Sequence, residues 1–142
     1  MGSRREAREL ALQALYQLDV AGEGDPGMAL FWSYFDAERE VQAFARELVE
    51  GVAAHRERID ALIAASAEHW RLPRLSRVDL SLLRLSTFEL LARPDIPPSV
   101  AIDEAIEIAR RYGIEDSSAF VNGVLDHIAG VLGVGGHEGR TQ

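Results

Sequence analysis

Apolar residues recur at three- and four-residue spacing along nearly the whole chain, and this periodicity limits the possible folds more than any other feature. Such spacing places side chains on one face of an α-helix, whereas a half-buried strand alternates at every second residue. No segment shows a convincing alternation, so the sequence predicts an all-α fold of about six to seven helices. The first stripe consists of Ala7, Leu10, Ala11, Ala14, Leu15 and Leu18.

Helix-breaking residues divide the pattern. Ser3 followed by Glu6 is a capping box that predicts the start of the first helix, and Gly22 predicts its end. Leu72-Pro73 is the candidate boundary between two helical subdomains. We therefore expect an N-terminal subdomain at residues 1–72, a C-terminal subdomain at residues 73–133 and a flexible, glycine-rich tail at residues 134–142.

Three further signals concern individual helices. The spacing predicts a long helix from near Asp36 that continues towards Ile63, and Gly51 inside it predicts close packing against a neighbouring helix. Ser76 with Asp79 makes a weaker capping box, and Asp116 is the predicted N-cap of the last helix.

Two segments near the C-terminus need separate arguments. Pro98 suits the first turn of a helix, where its missing N–H has no cost. Asn122-Gly123 is typical of a hairpin turn, but the apolar residues on both sides keep helical spacing, which favours a helix there.

Charge and composition restrict the possible functions. The chain has 142 residues, a net charge of −8 and no cysteine, and its basic residues are all arginine. The absence of cysteine excludes disulfides and thiolate chemistry, and no apolar run is long enough for a membrane span, so we expect a cytoplasmic protein. Arg4, Arg5 and Arg8 lie on consecutive turns, where their guanidinium groups are expected to reach neighbouring phosphates.

No pattern indicates catalysis. The histidines are scattered and none follows a glutamate at the spacing of a di-iron motif. No zinc-protease motif, nucleophile elbow or phosphate-binding glycine loop occurs. We therefore interpret the chain as a binding protein without a cofactor or metal, and not as an enzyme. The four histidines are His55, His69, His127 and His137.

Three segments resemble the family of the bacterial transcription antitermination factor NusB. They are ARELALQALYQLD (residues 7–19), RVDLSLLRLSTFELL (residues 77–91) and IPPSVAIDEAIEIARRYGIEDSSAFVNGVLDHI (residues 96–128). The resemblance implies two packed helical bundles. It also implies binding to boxA of nascent ribosomal RNA together with NusE, a small-subunit ribosomal protein, and thereby an indirect association with the RNA polymerase antitermination complex.

The resemblance also implies roles for individual residues. The RNA-binding residues would be Arg4, Arg5, Arg8, Arg84 and Phe120. The NusE-binding residues would be Tyr16, Asp79, Asp116 and, again, Phe120. The family has a denser basic cluster at the start of the first helix, where Glu6 and Glu9 interleave in this chain.

Two alternatives stay open. Some ribosomal RNA cytosine methyltransferases carry a NusB-like RNA-binding domain, and the length of the natural reading frame would distinguish that class. The other alternative is a purely structural helical dimer, because the sequence allows either a monomer or a homodimer in the absence of NusE.

Overall fold

A computed structural model describes residues 3–22, 31–33, 37–69 and 75–134. For Ser3 and His69 it describes the backbone alone. Regular structure in these ranges is helical, which confirms the all-α prediction. Residues 31–33 are helical as well, and residues 23–30 and 34–36 on either side lie outside the described part. The helices are α1 (Ser3–Ala21), α2 (Arg39–Ala54), α3 (Arg56–His69), α4 (Arg77–Ala92), α5 (Pro98–Tyr112) and α6 (Ser117–Leu132).

Helix α4 is the centre of the molecule. All residues from Ser81 to Leu90 are buried, and α4 packs against each of the other five helices. Helix α1 packs mainly on α2, and α5 packs mainly on α6, so two helical bundles share α4. The proposed boundary at Leu72-Pro73 lies outside the described residues, and the division into subdomains stays a prediction. None of the described helices is both long and apolar enough to cross a membrane.

Helix α1 ends where Gly22 predicts, and the Gly22 N–H donates to Leu18 O at 2.8 Å. Its first described residue is Ser3, whose side chain is outside the described part, so the capping box of Ser3 and Glu6 stays a prediction. Gly22 has φ +94°, a conformation that favours glycine. The stripe facing α2 and α4 contains the fully buried alanines Ala7, Ala11 and Ala14, whose small side chains allow the helices to approach closely.

The predicted long helix is interrupted, because His55 leaves helical geometry between α2 and α3 with φ −112° and ψ 18°. Its ring lies 5.6 Å from the ring of Phe88 on α4, centroid to centroid. Close packing at Gly51 is confirmed, because a Cβ built there would lie 2.2 Å from the Phe88 ring. Helix α2 therefore contacts α4 at Gly51, which has no side chain, and the chain turns just beyond that contact, at His55.

The predicted caps of α4 and α6 are confirmed in position but differ in chemistry. The Asp79 N–H donates to Ser76 Oγ at 3.0 Å, which is one half of the predicted capping box. Asp116 stands at the N-cap of α6, yet its side chain makes no capping hydrogen bond. Instead Ser117 Oγ accepts from the Ile114 N–H at 3.0 Å.

The remaining boundaries follow proline and glycine. Pro98 is the first residue of α5, and the Gly113 N–H closes the helix by donating to Ala109 O. Asn122-Gly123 lies inside α6, so no hairpin forms there. Helix α6 ends at Gly133, which has φ +73°. The predicted flexible tail lies almost entirely outside the described residues.

Candidate functional site

The first two turns of α1 carry Arg4, Arg5 and Arg8, which we call the arginine end. Arg4 is exposed, and its guanidinium lies 4.2 Å from the centre of the Phe44 ring. Such a contact holds a cation over an aromatic face without neutralising its charge. Arg4 makes no ion pair with a described residue, so its N–H groups stay available to an anion.

Arg5 points from α1 to α5 and is held there by a carboxylate. Its Nε and Nη2 groups donate to the two oxygens of Glu104 at 2.8 and 2.9 Å. This hydrogen bonding raises the pKa of Arg5 and lowers that of Glu104 from its usual value of 4.5. The Arg5 side chain is still 39% exposed, so solvent reaches it.

Arg8 does not reach the surface, which contradicts its predicted contact with RNA. The side chain is 4% exposed and donates from Nε and Nη2 to the carboxylate of Glu89 at 2.9 and 2.8 Å. Glu89 is 1% exposed. The two residues form a buried bidentate ion pair between α1 and α4, because the first turns of α1 lie directly over the central helix.

Arg84 is also buried, so its predicted contact with RNA is wrong for the same reason. It donates to both oxygens of Asp60 on α3, at 2.9 and 3.1 Å, and to Asp19 on α1 at 3.4 Å. Partial burial of Asp60 raises its pKa, but hydrogen bonds from Arg84 and Arg56 outweigh this and lower it overall. Arg84 therefore ties three helices together.

Sequence reasoning missed Arg93 at the arginine end. It follows α4, and its guanidinium lies 5.3 Å from the Phe44 ring, so Arg93 and Arg4 share that ring. Arg93 donates to both oxygens of Asp95 at 2.9 Å, and this hydrogen bonding lowers the pKa of Asp95. In the sequence Arg93 marks only the end of a helix, and nothing local places it beside Arg4.

Ion pairs continue between α1 and α5 beyond Arg5. Glu9 accepts from Arg111 Nη1, and Tyr112 Oη donates to Glu9 at 3.4 Å. Helical spacing allows Glu107 to pair with either Arg110 or Arg111; in the described residues it pairs with Arg110, and Arg111 turns to α1. Because Arg5 meets Glu104 and Glu9 meets Arg111, the two helices run in the same direction, and Glu9 lies beside the end of α5, just before the α5–α6 turn.

A second surface surrounds that turn. Tyr112 and Ile114, at the end of α5 and in the turn, are 42 and 76% exposed, and Asp116 follows them as an exposed residue. Tyr16 is 41% exposed and lies about two turns beyond Glu9 on α1. We call these four residues the junction patch. Tyr112 and Ile114 were not among the predicted site residues, although a large apolar side chain directly after Gly113 was a usable signal. Exposed apolar and aromatic side chains of this kind are typical of protein-binding surfaces.

Asp79 lies behind the junction patch rather than on it. The side chain is 6% exposed, and its Oδ2 accepts from Ser117 Oγ at 3.2 Å. Ser117 Oγ accepts in turn from the Ile114 N–H. A direct contact of Asp79 with a partner is therefore contradicted by its burial, and the residue instead fixes the α5–α6 turn against the start of α4.

Phe120 is half-buried and packs against the hydrophobic core. Its N–H donates to Asp116 O, so it lies one turn beyond the junction patch on α6. Helix α6 packs mainly on α3, α4 and α5, and the structure does not bring Phe120 into contact with Arg4 or Arg5. Phe120 thus borders the junction patch and is separate from the arginine end.

No catalytic or metal-binding cluster accompanies these surfaces within the described part of the chain. In residues 4–22, 31–33, 37–68 and 75–134, no group of three or more His, Asp or Glu side chains is placed to hold a metal ion. The geometry supports binding through an exposed charged end and a separate exposed apolar patch, with Glu9 on α1 lying between Arg5 and Tyr112.

Comparison with known proteins identifies the family. The sequence model of the NusB family matches residues 5–130. A transcription antitermination protein NusB from Anaeromyxobacter dehalogenans is 55% identical over 135 residues, covering 93% of this chain and 94% of the relative. This relative agrees with the prediction of a binding protein that is not an enzyme.

Solved structures agree with the sequence comparison. T. maritima NusB is 42% identical, covers 89% of this chain and 90% of its own, and superposes with a TM-score of 0.78. A chain in a complex of the antitermination factors NusB and NusE with double-stranded RNA is 27% identical, covers 92% of this chain and 98% of its own, and has a TM-score of 0.77. On this evidence the chain belongs to the NusB family.

Proposed function

We propose that this protein is a transcription antitermination factor that binds boxA of nascent ribosomal RNA together with NusE. Bound in this way, it helps RNA polymerase to continue elongating, without making or breaking a covalent bond itself. The observation that carries the proposal is the likeness, over 92% of the chain, to a protein solved together with NusE and RNA. We place this work in the cytoplasm, where transcripts and ribosomal proteins meet.

The arginine end supplies the RNA contact in this proposal. Arg4 and Arg5 are the direct contacts, because both guanidinium groups reach solvent. Arg8 and Arg84 instead join neighbouring helices inside the protein, since each is buried in a bidentate ion pair. Two cations are few for tight binding to RNA, so we expect weak affinity alone and much stronger affinity when NusE adds further contacts.

The junction patch is the proposed site for NusE. Tyr16 and Ile114 offer exposed apolar area, Asp116 adds negative charge, and Phe120 lies at the border. The protein carries a net charge of −8, and ribosomal proteins are generally basic, so the charges of the two partners are complementary. Asp79 supports this surface from behind through Ser117.

The first experiment measures RNA binding. Labelled boxA RNA is titrated with the protein, with and without NusE, at low and high salt. The Arg4→Ala/Arg5→Ala variant should bind RNA more weakly, with a log–log salt slope shallower by about 1.4, because two phosphate contacts to a single strand are lost. Its affinity for NusE should remain nearly unchanged.

The matched control removes two other exposed arginines, in Arg39→Ala/Arg58→Ala. These residues lie on α2 and α3 and make no ion pair with a described residue. The control alters net charge equally but should leave the salt slope unchanged. Equal loss in both variants, or equal loss of RNA and NusE binding in the first, would show that the RNA surface is assigned wrongly.

The second experiment measures NusE binding. Asp116→Asn should weaken the NusE complex by about threefold, because an exposed charge at an interface typically contributes below 1 kcal/mol. Glu57→Gln on α3 is the control, since it removes one exposed negative charge far from the α5–α6 turn. An unchanged affinity of Asp116→Asn for NusE would remove Asp116 from the proposed contact.

A further inference from the structure

Arg4 and Arg5 are neighbours in sequence, but their guanidinium groups are in different electrostatic states. Arg4 lies over the Phe44 ring and keeps its charge available. Arg5 is engaged by both oxygens of Glu104. The proposed RNA contact therefore contains one available cation and one cation that already has an anionic partner.

The pair between Arg5 and Glu104 has the geometry that a phosphate would need. Nε and Nη2 form a planar fork that binds two oxygens of a carboxylate or of a phosphate in the same way. One fork cannot clasp both anions, so a phosphate that binds Arg5 through these atoms must displace Glu104. The free energy of that exchange is smaller than that of binding to an unpaired arginine.

The displaced carboxylate would not be left without a cation. Arg8 Nη1 lies 3.9 Å from Glu104 Oε1, beside the buried pair with Glu89. Glu104 is 21% exposed, so water also reaches it. The exchange is therefore possible without stranding a buried charge, which would be far more costly.

We propose that Glu104 sets the RNA affinity of this protein by occupying the phosphate-binding fork of Arg5 until RNA displaces it. This inference rests on the proposed function, in particular on Arg5 as an RNA contact. It assigns to Glu104 a role that a purely structural link between α1 and α5 would not have. Removing a purely structural link would change only the stability of the fold. Removing a competing anion should increase RNA affinity, whereas removing an RNA contact decreases it.

The test is a double-mutant cycle with labelled single-stranded boxA RNA at low salt, in the absence of NusE. Glu104→Gln should tighten RNA binding by about threefold to fivefold, the range expected for releasing a partly exposed ion pair. In the Arg5→Gln background the same substitution should give no more than the general effect of removing one negative charge. Arg5→Gln alone should weaken binding.

Glu107→Gln measures that general effect of charge. Glu107 lies on α5 about one turn from Glu104 and pairs with Arg110. It attracts Arg5 through its charge but, unlike Glu104, does not occupy the fork of Arg5 by hydrogen bonds. Equal gains for Glu104→Gln and Glu107→Gln would overturn the proposal, and so would a gain that persists in the Arg5→Gln background.

Two further measurements keep the result interpretable. Thermal unfolding of each variant, followed by helix content, checks that the fold is intact, and Glu104→Asp replaces Glu104→Gln if the latter unfolds. The aspartate keeps the charge but retracts the carboxylate by one methylene, so a gain in affinity cannot come from net charge. If the unmodified protein binds boxA RNA neither alone nor with NusE, the proposed function itself fails, whereas RNA binding with an ineffective Glu104→Gln overturns this inference alone.

Discussion

The arginine end and the junction patch are built on different physical principles. At the arginine end, charged groups face each other across α1, α4 and α5, and most of the positive charge is met by carboxylates. At the junction patch, Ile114 and Tyr16 expose apolar surface and few charges are paired. Binding at the arginine end is expected to depend on salt and on which ion pairs open. Binding at the junction patch is expected to depend on buried apolar area and much less on salt.

The largest expected effect tests whether the buried part of the arginine end belongs to the fold. Glu89→Ala should lower the free energy of unfolding by about 3–5 kcal/mol, because it leaves Arg8 buried without its carboxylate. Urea denaturation measures it. Replacing both residues, as Arg8→Met/Glu89→Leu, should recover most of the loss, since no unpaired charge remains. A loss below about 1 kcal/mol for Glu89→Ala would mean that the pair is not buried in solution.

The next effect tests the junction patch. Ile114→Asp should weaken NusE binding about tenfold or more while changing the free energy of unfolding by less than about 0.5 kcal/mol, because the side chain is 76% exposed. Val131→Asp is the control. Val131 is 60% exposed at the opposite end of α6 and should affect neither quantity. Calorimetric titration of each variant with NusE measures the affinity, and urea denaturation measures the free energy of unfolding. Equal losses of NusE affinity in the two variants would show that the junction patch is not the NusE site.

A smaller effect compares two arginines that both lie over aromatic rings. Arg4→Ala should weaken RNA binding by about threefold and make the salt slope shallower by about 0.7, as expected for one phosphate contact. Arg46→Ala should do neither, although Arg46 lies over Trp32 at 4.8 Å in the same kind of contact. If Arg46→Ala weakens binding as much as Arg4→Ala, RNA does not favour the arginine end.

The smallest effect concerns acid stability at the arginine end. The pKa of Glu104 is lowered in the folded protein, chiefly by its hydrogen bond with Arg5. A lowered pKa stabilises the fold above the unfolded value of 4.5, and this stabilisation is lost as the pH falls below 4.5 through the folded pKa. Glu104→Gln should therefore lose less stability than the unmodified protein between about pH 5 and pH 3. A parallel decline in urea denaturation curves would contradict the ion pair in solution.

The sequence predicted local structure well because its signals act over one or two helical turns. Gly22, Ser76 and Pro98 each mark a helix end in the structure as well. Gly51 correctly predicted a close approach of helices, but not which helix would approach. The bend at His55 was missed, because the apolar spacing continues across it; in the structure His55 lies beside Phe88 on α4.

The sequence predicted binding residues less well, and Asp79 shows why. Its position in a capping box and its likeness to a partner-facing residue are both visible in the sequence. Its burial against Ser117 depends on how α6 packs on α4. Tyr16, which the resemblance placed at the partner surface, is 41% exposed, whereas Ile114 was overlooked because it carries no periodic signal and only its position after Gly113 marked it.

By itself, the sequence determined the helical fold, the family and the location of the arginines on the first two turns of α1. Helical periodicity and termination depend on residues three or four positions apart, so they can be read directly. Only the tertiary structure decided which arginine is available to RNA. The carboxylates that engage Arg5 and Arg8 lie 99 and 81 residues further along the chain. Packing of both α1 and α5 on α4 brings them within hydrogen-bonding distance, and no local pattern records that proximity.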